Sequence, residues 1–196
     1  MPVLTLRSRK GDEDSDSAER TGVFTSGIVS TVQGHNIALF FTGRQHAGEN
    51  LADVLHRRAA ELRPPIQMCD ALSRNLPKLP QKLEVIVGHC LAHSRRRFVE
   101  VTPNFPEPCR HVLEQLGQVY SNDARTREQS MTAEERLRVH QLQSGPVMDQ
   151  LRAWLTTQFA ERTAEPNSGL GMAMGYLLKH WERLTLFLRQ AGAPVT

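Results

Sequence analysis

The chain has 196 residues, with 24 Lys and Arg against 21 Asp and Glu and a formal charge of +3; its pI is near 9.0 and its mean hydropathy −0.41. This length suffices for one full core and a smaller subdomain, and so mild a basicity means that any nucleic-acid affinity must come from local patches rather than bulk charge. Three widely spaced cysteines, Cys69, Cys90 and Cys109, exclude a disulfide framework and fit a reducing cytoplasm. No apolar run approaches the ~20 residues of a membrane span, and the acidic N-terminus lacks the greasy stretch of a signal peptide, so the sequence reads as cytoplasmic, with no membrane partner.

In chain order, Val3–Leu6 is a short β-type run, followed by a segment from Arg7 to Arg20 in which Asp12, Glu13, Asp14, Asp16 and Glu19 crowd together with almost no apolar residue. Such a segment buries too little surface to offset its ordering entropy and is expected to be a mobile loop. Val23–Thr31 and Asn36–Thr42, with Gly34 between them, predict an antiparallel hairpin. From Gly48 the period changes: Leu51, Val54, Leu55, Ala59 and Leu62 fall on one helical face, and Pro64-Pro65 stops that helix. Strands are then expected over Ile66–Cys69, ending at Asp70, and over Leu83–Val87.

Beyond them the pattern is helical. Val112, Leu113, Leu116, Val119 and Tyr120 share a stripe, and Thr132 with Glu135 forms a capping box. Gly145-Pro146 breaks or kinks a helix before Met148, Leu151, Trp154, Leu155 and Phe159 resume an apolar face. A last helix, capped by Asn167 or Ser168, runs through Leu170, Met174, Leu177, Trp181, Leu184 and Phe187 to Gly192. The organisation is thus α/β: residues 1–21 as a residual strand and acidic loop, 22–102 as the α/β part, and 103–196 as a helical region.

Chemistry concentrates between Pro65 and Phe98. Asp70 ends one strand; it caps the next turn or serves as a metal ligand. Cys90-x-x-His93 is half a zinc site at most, because a structural zinc needs four ligands and Cys109 and His111 stand in another register; zinc is not expected. Cys90 is read as packed in the core, and His93 either as a satisfied core histidine or as a neighbour of Asp70 that touches DNA phosphate. Arg95, Arg96 and Arg97 open a helix whose successive positions lie about 100° apart. One or two of them face DNA phosphate while another pairs or snorkels; the alternative is an ordinary solvated face. Arg44, His46 and Asn50 belong to a polar segment read as part of the same surface. Trp154 and Trp181 lie on core stripes.

Four motifs, Gly43-Arg44-Gln45-His46-Ala47-Gly48-Glu49-Asn50, Met68-Cys69-Asp70-Ala71-Leu72-Ser73-Arg74-Asn75, Cys90-Leu91-Ala92-His93-Ser94-Arg95-Arg96-Arg97-Phe98 and Glu165-Pro166-Asn167-Ser168-Gly169-Leu170-Gly171, give the chain a further character. Together they make it resemble, from about Gly22 onward, the central DDE domain of the insertion-sequence-sixty-six transposase family. The resemblance implies an incomplete RNase H-like core with a large helical insertion, and DNA strand cleavage and transfer that depend on Mg²⁺ or Mn²⁺ held by carboxylates. It places the family's second catalytic aspartate, a metal ligand, at Asp70.

The family's first aspartate lies upstream of the stretch matching Val3–Leu6, and its final glutamate beyond the stretch matching Gly192-Ala193-Pro194. The chain is therefore expected to be truncated at both ends and inactive alone. Its expected partners are the DNA ends of the element and another copy or an intact transposase. The alternative expectation is a non-catalytic DNA-binding or oligomerisation module whose surface is the helices from Pro106 to Gln190.

Overall fold

The computed structural model describes residues 22–32, 34–59 and 61–196; the expected Val3–Leu6 strand and the acidic segment to Arg20 lie outside them. The chain divides between Val87 and Gly88 into two compact units.

In the first unit, β1 (Phe24–Val32) and β2 (His35–Gly43) form an antiparallel hairpin in which Ile28 faces Leu39; against the sequence pattern β1 is shifted by one residue and β2 is one residue longer at each end. Gly34 supplies the positive φ of +81° that the tight connection requires. Period-2 alternation buries Ser26, Ile28, Ser30 and Phe41 and leaves Val23, Val29 and Phe40 exposed. On the exposed face the Phe40 ring covers the backbone of Gly27. Helix α1 (Ala47–His56) lays Leu51 and Leu55 on Ile28, with Leu79 and Val85 packed around them.

The sequence pattern carries α1 on to Leu62, but the helix ends at Arg57, whose N–H goes to Val54 and Leu55 carbonyls. The Arg58 guanidinium then donates to the carbonyls of Leu62 and Arg63 at 3.0 and 2.6 Å, holding the chain in a turn that leaves Leu62 exposed. Strand β3 (Ile66–Cys69) has the expected bounds and pairs with β4 (Ile86–His89). β4 starts three residues later than predicted, because the Leu83 N–H is taken by the Pro80 carbonyl at 3.0 Å in a turn and the first inter-strand bond is Ile86 N–H to Pro65.

The second unit is helical: α2 (Leu91–Val101), α3 (Pro106–Glu128), α4 (Ala133–Val139), a π-helical segment His140–Ser144, α5 (Gly145–Ala160), α6 (Gly169–Lys179) and α7 (Trp181–Leu184). Its core is Leu91, Phe98, Val112, Leu116, Val119, Met148, Leu151, Leu155, Met174, Leu177, Leu184 and Phe187. The capping box of α4 forms as its spacing predicts: Glu135 N–H donates to Thr132 Oγ1 at 3.2 Å and Thr132 N–H to Glu135 Oε2 at 2.8 Å.

Two helices depart from the sequence pattern. Before Gly145-Pro146 the backbone widens into the π segment, and α5 then starts with its proline in the first turn, where no N–H is missed. The expected last helix is divided at His180 (φ −103°, ψ 12°), whose ring lies against Tyr176 and His89; the bend turns Trp181, Leu184 and Phe187 inward. Near the C-terminus Val195 is buried, and its carbonyl accepts the Leu91 N–H at 3.1 Å. It thereby satisfies one of the orphan donors at the start of α2.

Candidate functional site

Asp70 follows β3 directly, so the strand fixes where its Cα stands. Its side chain folds into an Asx turn: Leu72 N–H donates to Oδ1 at 3.1 Å, and Asn75 Nδ2 donates to the same oxygen. The 3-10 turn Ser73–Asn75 thus wraps around one carboxylate oxygen, while Oδ2 has no partner among the described residues. A second link holds the turn from below. Gln67, buried in β3, donates from Nε2 to the Asn75 main-chain carbonyl at 2.6 Å.

The first two motifs meet here. α1 enters against the turn at Gly48, where a Cβ would fall inside the contact radius of the Leu76 carbonyl oxygen and 2.9 Å from that of Arg74; only glycine permits this approach. The polarity of Gly43–Asn50 therefore has a structural reason that the sequence reading missed. His46 N–H donates to Glu49 Oε2 at 2.6 Å in a capping box, and the His46 ring packs on Phe24 at 4.5 Å. Asn50, read as part of a DNA surface, is instead buried and donates to Ser26 Oγ and the Gln45 carbonyl. Arg44 is exposed at the end of β2.

The third and fourth motifs meet in the second unit. α2 turns Leu91, Ser94 and Phe98 fully inward and leaves His93, Arg95, Arg96 and Arg97 exposed. His93 is therefore no core histidine. Cys90, expected in the core, is half-buried at the N-cap of α2, because the strand-to-helix corner brings it to the edge. The fully buried thiol is Cys109, which burial pushes up against the lowering effect of a Thr102 hydrogen bond.

Arg97 places its guanidinium 3.9 Å over the Tyr176 ring, so it is the arginine that pairs with the protein. Arg95 and Arg96 have no carboxylate partner among the described residues. The Tyr176 and His180 rings stack at 4.6 Å. Burial lowers the His180 pKa, with the charges of Lys179, Arg183 and Arg97 adding to it. The neighbouring Tyr120 phenol is pushed up to about 12 by burial, with Cys90 adding and Arg95 opposing. Gly169 lies at the α6 start beside Val101, 3.0 Å from where its Cβ would be, and Gly171 backs onto the Glu165 carbonyl. The fourth motif is thus a packed helix start, capped by Ser168 Oγ, which accepts from Gly171 N–H at 3.0 Å. Trp181 is buried as expected, and Trp154, half-buried, stacks on His111 at 4.4 Å.

Asp123, absent from the sequence reading, is the most heavily bonded carboxylate described. At 2% exposure it accepts from Arg136 at 2.9 Å, from His140 Nε2 at 3.3 Å and from Arg127. His140 Nδ1 in turn accepts from Ser144 Oγ at 3.0 Å, and Ser144 Oγ accepts from Asn122 Nδ2 at 3.1 Å. Burial alone would raise the Asp123 pKa, but the His140 and Arg136 hydrogen bonds and the Arg127 and Arg136 charges bring it down to about 2. The line of hydroxyl, imidazole and carboxylate is shaped like a nucleophile relay, yet Ser144 is fully buried and its oxygen is occupied. It ties α3 to the π segment and offers nothing to a substrate.

Among the described residues no group of three or more His, Cys, Asp or Glu is placed to hold a metal ion. Asp70 contributes one carboxylate, half of it committed to the turn, and that donor set alone does not fit the expected divalent ion. None of the described helices is long and apolar enough to cross a membrane.

Two relatives from Sinorhizobium fredii (strain NBRC 101917 / NGR234) are the uncharacterized proteins y4jD, 39% identical over 103 residues, and y4hP, 29% identical over 123 residues. The alignments cover 52% and 57% of this chain but 19% and 22% of those proteins, so the chain spans about a fifth of the length of the curated relatives it matches. No solved structure matches it. The model of the Transposase IS66 family matches residues 17–196, all four motifs included, and the chain belongs to that family.

Proposed function

We propose that this chain is part of the catalytic region of a DDE-type DNA transposase with an RNase H-like core, and that Asp70 is the carboxylate it contributes to DNA strand cleavage and transfer. The observation that carries the reading is the Asp70 turn, in which a strand end and two hydrogen bonds fix one carboxylate oxygen and leave the other without a partner among the described residues, inside a segment that matches a transposase family. Fixed geometry at a strand end is what a reactive carboxylate needs. On this reading the further carboxylates that a Mg²⁺ or Mn²⁺ ion requires come from outside the described residues, and the described part alone is inactive.

Arg95 and Arg96 are the DNA-facing members of the arginine run, with His93 beside them on α2 and Arg44 and His46 as lesser contributors; Arg97 holds Tyr176. The partners are the DNA ends of the element and other transposase copies, and three widely spaced cysteines suit a cytoplasmic setting. A second reading, a non-catalytic DNA-binding or oligomerisation module, is favoured by the lone carboxylate and the unpaired arginines.

The test is a nicking and strand-transfer assay with Mg²⁺ or Mn²⁺ on DNA bearing the element's ends, with duplex binding measured in parallel. The chain alone, the chain joined to the sequence encoded on either side, and that longer protein with Asp70→Asn are compared. Activity confined to the longer protein and abolished by Asp70→Asn supports the first reading. Cleavage by the longer Asp70→Asn variant overturns it, and salt-sensitive DNA binding without cleavage in every form supports the second.

A further inference from the structure

The Asp70 carboxylate does not hold its own orientation. Of its two hydrogen bonds, one comes from a main-chain amide two residues on and the other from the Asn75 side chain. Asn75 is in turn placed from β3, because the buried Gln67 amide, 6% exposed, donates at 2.6 Å to the Asn75 carbonyl. The remaining Gln67 polar atom, Oε1, is buried with no hydrogen-bond partner among the described residues. A buried acceptor left unsatisfied carries a desolvation penalty that an apolar side chain at this strand position would avoid. The bond that Gln67 does make is the one to Asn75.

The third support is Gly48, the position at which α1 touches the carbonyls of Arg74 and Leu76 on the two sides of Asn75. Gln67 from the strand and α1 from the other element therefore fix one short turn, and that turn presents its Asn75 amide to the oxygen of Asp70 that faces the protein.

We propose that Asn75 and Gln67 are positioning residues for Asp70: Asn75 pins Oδ1 so that Oδ2 is the oxygen left to react, and Gln67 acts one step removed by pinning Asn75. The proposal rests on the reading that Asp70 is the reactive carboxylate, and extends it to two residues that do not touch the reacting atoms. Loss of the Asn75 amide leaves Oδ1 held by the Leu72 N–H alone, so the Asp70 carboxylate is aimed by one hydrogen bond instead of two. The cost then falls on the chemical step rather than on DNA binding, since a misaimed group slows reaction without altering the surface that grips the duplex.

The experiment has two arms. In the 196-residue chain, two-dimensional NMR follows the Leu72 amide and the Asp70 carboxyl carbon in wild type, Asn75→Ala and Gln67→Leu. Both variants are expected to shift these two signals and to leave those of the β1–β2 hairpin and the second unit in place; unmoved Asp70 and Leu72 signals in folded variants overturn the proposal. In the complete transposase carrying this segment, single-turnover strand transfer is expected to slow about tenfold or more with Asn75→Ala while the Kd for end DNA changes less than about twofold.

Because Gln67 acts through Asn75, adding Gln67→Leu to Asn75→Ala should slow the reaction no further. Additive losses, or a loss carried in Kd, would reduce both residues to ordinary packing and refute the proposal. Gln67→Leu preserves volume in the core, so it remains informative if Asn75→Ala fails to fold. The underlying reading fails separately: strand transfer that survives Asp70→Asn removes Asp70 from the chemistry, whereas a dead Asp70→Asn beside a fully active Asn75→Ala removes only the positioning roles.

Discussion

Replacing Asp123 by Asn tests the polar centre of the helical unit. Asp123 is 2% exposed and takes hydrogen bonds from Arg127, Arg136 and His140, which lower its pKa from 3.8 to about 2 against the effect of burial. A depression of that size contributes stability on the order of 2–3 kcal/mol. The sign follows from its direction. A carboxylate depressed in the fold stabilises fully above its unfolded pKa, and the contribution is lost as pH falls from about 4 through about 2.

The introduced asparagine keeps one acceptor oxygen but turns its NH2 toward the donors on the other side, Arg127 or the Arg136 and His140 pair, so the variant should lose ~3 kcal/mol at pH 7. Trp154 and Trp181, the two tryptophans of the chain, both lie in the second unit, so urea unfolding followed by tryptophan fluorescence reports on that unit. The stability difference between wild type and Asp123→Asn should be unchanged from pH 7 to pH 5 and smaller by ~1 kcal/mol at pH 3. A difference below ~1 kcal/mol at pH 7, or one that does not shrink by pH 3, would show that the network is not the stabilising centre that its geometry describes.

The other expectations are simpler. Asp70→Asn keeps an acceptor oxygen for the Leu72 amide and should leave thermal stability within ~0.5 kcal/mol of wild type, whereas Asp70→Ala loses the turn cap and ~1 kcal/mol; equal losses would mean that the charge, not the Asx turn, holds the site. Gly48→Ala places a Cβ against two carbonyls and should cost ~1–3 kcal/mol while moving the Ser73–Asn75 amide signals in NMR; unshifted signals would refute the close approach. Arg97→Ala should lower the stability of the second unit by ~0.5–1 kcal/mol through its lost contact with Tyr176, with little effect on DNA binding. Arg95→Ala with Arg96→Ala should do the reverse, lowering duplex affinity and flattening its salt dependence, and unchanged binding would discard α2 as a DNA surface.

The elements that the sequence displayed well are those that one local rule decides. The hairpin follows from period-2 alternation around Gly34, β3 from a short apolar run between Pro65 and Asp70, and the α4 start from Thr132 with Glu135; all three stand where the pattern puts them. The misplaced boundaries were decided by contacts between parts of the chain. α1 stops short of Leu62 because Arg58 bonds carbonyls beyond it, β4 starts late because Pro80 takes the Leu83 amide, and the last helix bends at His180 where two rings lie against it. Nothing in a 3.6-residue period anticipates a guanidinium reaching past a helix end.

Asp70, on which the proposed site rests, stood out in the sequence, and the residues around it did not. The Asp-to-Asn spacing of five residues carries no standard signature, and Gln67 betrays itself only as a polar residue inside an apolar strand. Asp123 left a similar trace: with Cys109, Val112, Leu116, Val119 and Thr126 it occupies the buried stripe of α3, where an unpaired charge would be intolerable. A carboxylate on such a stripe implies buried cations, and the arginines at 127 and 136 were in view; the π turn that brings His140 to it was not.

The four motifs carry two kinds of information that the sequence runs together. In each unit two of them meet, the Gly48 helix start on the turn after Asp70 and the Gly169–Gly171 helix start at its own Glu165 corner beside Val101 of α2. Both contacts require glycine where a helix start packs at close quarters, so much of each motif is explained by packing and says nothing about chemistry. Subtracting what packing accounts for removes His46, Glu49 and Asn50 from the first motif, Leu72 and Ser73 from the second, Leu91, Ser94, Arg97 and Phe98 from the third, and the whole of the fourth. Among what is left are Arg44 and Asp70 with its Asn75 partner in one unit and His93, Arg95 and Arg96 in the other: one carboxylate with an oxygen unpartnered among the described residues, and a basic helix face with no acid to neutralise it among the described residues. Asp70 still caps its own turn, whereas Arg95 and Arg96 have no such structural part among the described residues, and uncompensated arginines are what the proposed phosphate contacts call for.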